Sequence, residues 1–200
     1  MSEQADRRRI CVVGDALVAG VGDPKALGWT GRVAARTPGG TQQALFALGV
    51  PGEATSGLLS RWKSETDRRY ADGADNRLVV GLGRGDLIDG VSLARSRLNL
   101  ANVLDDASAR EVDAFVLGPA PTADAATNQR VEELADAFAD VCQRRHVPYV
   151  DCYGPLVAHD QWYADLAAGD GEHPGQAGYG LMAWLVLHGG WYPWLGVPQP

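Results

Sequence analysis

The chain has 200 residues, 46% of them hydrophobic and 22% charged, the size and balance of one globular domain over residues 1–200 with enough chain to bury a sizeable core. Its net charge of −7 excludes a general nucleic-acid binder, because phosphate contacts need concentrated Lys and Arg. No stretch approaches the roughly 20 apolar residues of a membrane span.

The basic run Arg7-Arg8-Arg9 reads as a solvated lead-in to the first strand. The apolar residues after it, Ile10 to Val13, fall short of the about 7–15 that a signal peptide needs, so a cytoplasmic location is expected. Strands are expected at 9–13, 43–48, 77–82, 112–117 and 147–151. Three of these are near-continuous apolar runs, as strands covered on both faces tend to be. A short helix is expected over 29–36, closed by Pro38-Gly39-Gly40. A second over 55–70 has Thr55-Ser56 able to cap it and Leu58, Leu59 and Trp62 on one face. Over 91–107 the spacing puts Val91, Ala94, Leu98, Ala101 and Leu104 inward. Over 123–145 Val131, Leu134, Phe138 and Val141 face inward, and Arg144-Arg145 suits a helix C-terminus. The last helix is expected over 175–188.

Strand–helix alternation implies right-handed βαβ units and a parallel sheet between helix layers. Ligands gather at the carboxyl ends of such strands. Four loops fall there: GDALVAGVGD (14–23), GVPGEAT (49–55), GRGDLIDG (83–90) and GPAPTAD (118–124). Glycine lets backbone approach a ligand and leaves N–H groups exposed. A fifth polar segment, Asp170-Gly171-Glu172-His173-Pro174, precedes the last helix. An Asp three residues before a His can fold back, hold the imidazole in one tautomer and stabilise the imidazolium.

Taken in order, these blocks resemble the SGNH or GDSL family of serine esterases and lipases. The Gly-Asp-Ser-Leu turn of that family is Gly14-Asp15-Ala16-Leu17 here. Its second-block glycine is Gly52, in Gly52-Glu53-Ala54-Thr55-Ser56. Its Gly-x-Asn-Asp is Gly83-Arg84-Gly85-Asp86, and its Asp-x-x-His-Pro is Asp170 to Pro174. The turn Gly118-Pro119-Ala120-Pro121 is also similar. The resemblance implies a three-layer α/β/α sandwich with a flavodoxin-like parallel sheet of about five strands. It implies hydrolysis of a small carboxylic ester with a short or medium acyl group, and no metal or organic cofactor. A serine at position 16 would attack the acyl carbon, His173 would act as general base, and Asp170 would orient His173. Backbone N–H groups of residue 16 and Gly52, with the third-block Asn, would hold the oxyanion.

Two of those elements are absent. Ala16 has no hydroxyl and Gly85 has no amide. Losing a serine nucleophile costs roughly 10⁶ in kcat, and losing one oxyanion donor about 10²–10³. The chain is therefore expected to be inactive or nearly so. Three histories fit: a deliberate Ser→Ala change that traps a ligand, a natural pseudoenzyme that kept the cleft as a ligand-binding or regulatory module, or another reaction run by Asp15, His173 and Asp170.

The remaining candidates read as structural. Asp15 suits loop hydrogen bonding. Arg84-Gly85-Asp86 spells an integrin tripeptide by coincidence. His146 and His159 lack clustered partners, and Glu172 reads as solvent-facing. Cys11, Cys142 and Cys152, widely spaced, read as reduced buried thiols. Trp191, Tyr192 and Trp194 are expected to pack on the last helix; the alternatives are a homodimer contact or a wall of the acyl pocket.

Overall fold

The computed structural model describes residues 7–39 and 43–200. Gly40, the last residue of the expected stop after the first helix, lies outside them. In chain order the elements are β1 (Arg8–Gly14), α1 (Ala16–Ala19), α2 (Gly28–Ala34), β2 (Ala44–Gly49), α3 (Thr55–Asp67), β3 (Asp75–Gly81), α4 (Gly85–Ile88) and α5 (Leu93–Ala109). There follow β4 (Asp113–Leu117), α6 (Ala125–Gln143), β5 (Tyr149–Val150), α7 (Tyr153–Leu156), α8 (Asp160–Ala167), α9 (Gln176–Val186) and, past a kink at Gly189-Gly190, α10 (Tyr192–Leu195). The strands form one parallel sheet in the order β2-β1-β3-β4-β5.

All five expected strands are present. β5 is shorter than expected because Pro148 has no N–H to donate, although its carbonyl accepts from Val116 N at 2.9 Å. Alternate strand residues feed two cores. Ile10, Val12, Val79, Phe115 and Leu117 pack with α2, α8, α9 and the C-terminal segment. Val13, Leu78, Val80, Ala114 and Val116 pack with α3, α5 and α6. Helices thus cover both faces, which is why the strands read as apolar runs.

Helix α6 buries Val131, Leu134, Phe138 and Val141 as expected, and Asp124 caps it by accepting from Ala126 N and Thr127 N, each at 3.1 Å. The phase of α5 differs from expectation. Leu98 is 49% exposed and Ala94 is exposed, while Leu100, Val103 and Ala107 join Ala101 and Leu104 in the core. The misreading has a cause: Ser96 and Asn99 lie on the buried face because both are hydrogen-bonded, so polarity there does not mean solvent. The N-cap is Ser92, which accepts from Arg95 N at 3.3 Å.

Arg8 also departs from expectation. It is 3% exposed, with Nε 2.6 Å from Asp75 Oδ2 and Nη2 donating to Leu195 O at 2.7 Å. It pins the C-terminal segment to the start of the sheet. Trp191 is fully buried edge-on to Phe115, with ring centroids 5.5 Å apart, and its Nε1 donates to Thr37 Oγ1 at 2.8 Å. Trp194 lies 5.1 Å from the Phe115 ring. The three cysteines are free and buried. Burial pushes the Cys11 and Cys142 thiols up to about 12. No helix among the described residues is long and apolar enough to cross a membrane.

Three glycines end adjacent strands in register: Gly49, Gly14 and Gly81. A Cβ on Gly49 would lie 2.9 Å from Ala19 Cα, and one on Gly81 would lie 2.9 Å from Val18 Cγ2. Their bare backbones let α1 sit directly on the carboxyl edge of the sheet, which sets the position of Ala16.

Candidate active site

The site grows from that edge. Asp15 follows β1, caps α1 by accepting from Leu17 N at 3.0 Å, and is 7% exposed. Its Oδ2 fills the space beside Gly83, where any side chain would collide with it. Burial pushes its carboxyl up to about 6, against the lowering by backbone N–H bonds from Leu17 and Gly83 and by the charge of His173. Ala16 is the first residue of α1 and lines a cleft of about 170 Å³.

Gly52, Gly83, Arg84, Gly85, Ala120, Pro121, Glu172 and His173 line the same cleft, so the five polar segments converge as expected. Leu17, Ile88, Pro121 and Trp162 supply an apolar wall. Trp162 is held by donating Nε1 to Pro121 O at 3.0 Å. It comes from α8, where no element was expected, and nothing in the sequence marked it.

The Asp170–His173 turn is closed. Asp170 Oδ1 accepts from Glu172 N at 2.8 Å and His173 N at 2.7 Å, and Oδ2 lies 2.7 Å from His173 Nδ1. These bonds hold the Asp170 carboxyl well below the usual carboxylate range, the His173 side-chain bond first among them. With Nδ1 turned to Asp170, Nε2 is the imidazole nitrogen left for acid–base work.

Gly52 has φ +78°, and nothing lies within 4 Å of a Cβ built there, so the turn presents bare backbone. Behind it Glu53 is buried in a two-point pair with Arg61, with Nε–Oε1 and Nη2–Oε2 both 2.5 Å. Arg61 also donates to Leu48 O at 2.8 Å and Gly14 O at 3.3 Å, tying α3 to the ends of β2 and β1. Neither the sequence spacing nor the family resemblance pointed to this pair.

Thr55 does not cap α3 with its side chain. It is buried inside the helix, and its N (2.7 Å) and Oγ1 (3.0 Å) both donate to Asp86 Oδ1. Asn99 Nδ2 donates to Thr55 Oγ1 at 2.9 Å. Asp86 therefore stands behind the cleft wall and joins the second and third blocks.

At Gly85 the chain departs from the family pattern for a visible reason. A Cβ there would lie 2.5 Å from the carbonyl carbon of Glu53 and 2.8 Å from Ala54 N. Backbone of the second block occupies the start of the path that an Asn side chain would follow. Arg84, next to it, reaches across the cleft mouth to Glu172, with Nη2–Oε2 at 2.6 Å. Glu172 thus has a partner rather than facing solvent alone.

His146 is exposed at the end of α6, and His159 precedes α8; neither lines the cleft. A larger groove of about 650 Å³ lies between α2, α9 and the C-terminal segment, lined by Arg32, Trp184 and Tyr192 among others. It contains none of the expected site residues.

The five-stranded parallel sheet in this order, with helices on both faces, is a flavodoxin-like α/β sandwich, and it matches the fold of solved SGNH hydrolases. The chain belongs to the GDSL-like lipase/acylhydrolase family, whose sequence profile matches residues 12–181. Acetylxylan esterase Axe2 from Geobacillus stearothermophilus superposes with a TM-score of 0.76 at 16% identity, covering 100% of both chains. The lipase/acylhydrolase from Enterococcus faecalis gives 0.71 at 23% identity, over 89% of this chain and 93% of that one. The alpha/beta hydrolase LAE5 from the metagenome of Lake Arreo, Spain, gives 0.72 at 21% identity, over 92% and 95%. At these identities the likeness is one of fold. Comparison with curated proteins gave no match.

Proposed function

We propose that this chain carries the acyl-binding cleft of a GDSL-type carboxylic ester hydrolase without its nucleophile. Small esters and their acid products bind beside Ala16. Asp170 and His173 form the acid–base pair, and the backbone N–H groups of Ala16 and Gly52 face the carbonyl oxygen. Turnover is absent or nearly so, because no side-chain oxygen stands at position 16 to form the acyl intermediate. The observation that carries this reading is the closed Asp170–His173 turn in the same cleft as Ala16 and Gly52. Three buried free thiols suit a reducing, cytoplasmic setting.

The test is hydrolysis of p-nitrophenyl acetate by the chain and by Ala16→Ser at matched purity. A full serine is worth roughly 10⁶, and one missing oxyanion donor removes about 10²–10³ of it. The expected gain is therefore about 10³–10⁴, abolished by adding His173→Ala. No gain in a folded variant would reject an esterase lacking only its nucleophile.

That outcome would favour a second reading, a binding or regulatory module in the same cleft. The backbone packed against Gly85 is the observation behind it. A chain still selected for acyl transfer would be expected to keep room for a third donor.

A further inference from the structure

Among the described residues lining the cleft, Arg84 is the only arginine or lysine. It sits in a chain of net charge −7 and shares the cleft with the apolar side chains Leu17, Ile88, Pro121 and Trp162. Its guanidinium pairs with Glu172, with Nη2 and Oε2 2.6 Å apart. A guanidinium has five donors in a planar fork and takes carboxylates best at two points. Five donors exceed the two that one carboxylate takes in such a fork, so a single partner does not exhaust the guanidinium. The Glu172 contact also shows that a carboxylate fits against Arg84 at this place.

The resting pair is easily exchanged. The side chains of Arg84 and Glu172 are 27% and 55% exposed, and ion pairs this open to water contribute little to stability. A ligand that brings its own carboxylate and also buries an alkyl chain on the apolar wall gains what Glu172 does not. Ester and amide oxygens carry no full charge and gain much less from the guanidinium.

We propose that the cleft selects a small aliphatic carboxylate, anchored by Arg84, with Glu172 as the built-in carboxylate that the ligand displaces. This rests on the acyl-binding reading of the cleft and names the charge class of its ligand. Arg84 is then a specificity-determining residue, and the Arg84–Glu172 bridge closes the cleft mouth when no anion is bound.

The probes are butyrate and butyramide, which match in shape and differ in charge. Each is titrated into the full isotope-labelled chain at one pH and ionic strength, with amide shifts followed by NMR. Butyrate is expected to bind about tenfold more tightly than butyramide, the difference one charge-assisted contact makes. Arg84→Gln should bring the two probes to about equal affinity, whereas Arg84→Lys should keep part of the preference. Glu172→Gln should widen the preference for butyrate over butyramide several-fold, because the internal competitor for the guanidinium is gone. Both side chains lie at the surface, and unchanged thermal midpoints would confirm intact folds. Equal binding of the two probes, or a preference that survives Arg84→Gln, overturns the assignment and leaves the acyl-binding reading standing. Failure of both probes to bind overturns the two together.

Discussion

The two walls of the cleft hold their polar groups in different ways. On the His173 wall, hydrogen bonds from one short turn converge on Asp170, and the imidazole is oriented by residues within three positions of it. On the Gly52–Gly85 wall, the same task is spread over distant segments. Glu53 is held by Arg61, Thr55 by Asp86 and Asn99, and Gly85 lies against the backbone of Glu53 and Ala54. The first wall is local and survives unless one of its own residues changes. The second is cooperative, so one change is felt across several elements. The local wall carries the Asp-to-His spacing that the sequence resemblance leads one to expect, and the cooperative wall is where Gly85 stands in place of the expected Asn.

The largest effect on that comparison should come from the buried ion pair. Arg61→Met leaves the Glu53 carboxylate, whose side chain is 5% exposed, without its partner. Breaking a buried pair from one side typically costs about 3–5 kcal/mol, since the remaining charge stays desolvated. Urea denaturation should show a loss at the lower end of that range, because the Arg61 side chain is 20% exposed. Asp170→Asn, on the exposed local turn, should shift the midpoint far less. Equal losses from the two substitutions would erase the distinction between the walls.

How much of this could be read from the sequence divides along the same line. Short-range signals were legible: the apolar strands, the inward face of the helix over 123–145, the Asp170-to-His173 spacing and the glycines of the loops at the strand ends. The order of the blocks placed Ala16, Gly52, Gly85 and His173 in one cleft. What escaped were partners brought together only by folding, such as Glu53 with Arg61, Thr55 with Asp86, and Arg84 with Glu172. Arg8 reads as a solvated charge until Asp75 and Leu195 are beside it. Asn99 and Ser96 hid the true face of α5, because a satisfied polar side chain is as much at home inside as an apolar one. Gly85 is the clearest case. From sequence it is a missing donor, and in the structure it is a space filled from the other side.

Asp15 joins the walls, and it gives the next prediction. Its carboxyl rises from 3.8 to about 6 in the fold, mainly by burial, so the folded state holds a proton that the unfolded chain releases at lower pH. Stability from this group is therefore present below about pH 4 and is lost as pH rises through about 6. The shift corresponds to about 3 kcal/mol at most between those limits. Asp23, Asp75, Asp105, Asp124 and Asp170 have lowered carboxyl pKa values, so their opposite effect falls in the acid range below Asp15's window. Chemical denaturation at pH 5 and pH 8 should find the chain more stable at pH 5. Asp15→Asn should flatten that difference. If the variant keeps the full pH dependence, the first turn is not its source.

The smallest expected change in stability is also the one that bears most directly on the donor wall. Gly85→Asn, added to Ala16→Ser, writes the family residue back into the third block. On an intact wall it would supply the missing donor and raise the p-nitrophenyl acetate rate by a further 10²–10³, roughly. Here the new Cβ would start 2.5 Å from the carbonyl carbon of Glu53 and 2.8 Å from Ala54 N. Those atoms belong to a segment fixed by the Glu53–Arg61 pair and by the bond from Thr55 N to Asp86 Oδ1, and backbone so anchored cannot give way cheaply. The double variant should therefore lose about 1–3 kcal/mol, the usual penalty of overpacking, and gain no rate over Ala16→Ser alone. Gly85→Ala should show a similar loss, since the clash begins at Cβ and does not depend on the amide. A rate gain of 10² or more, on the order expected for a regained donor, would mean that the wall opens readily and that only residue type separates this cleft from a working one.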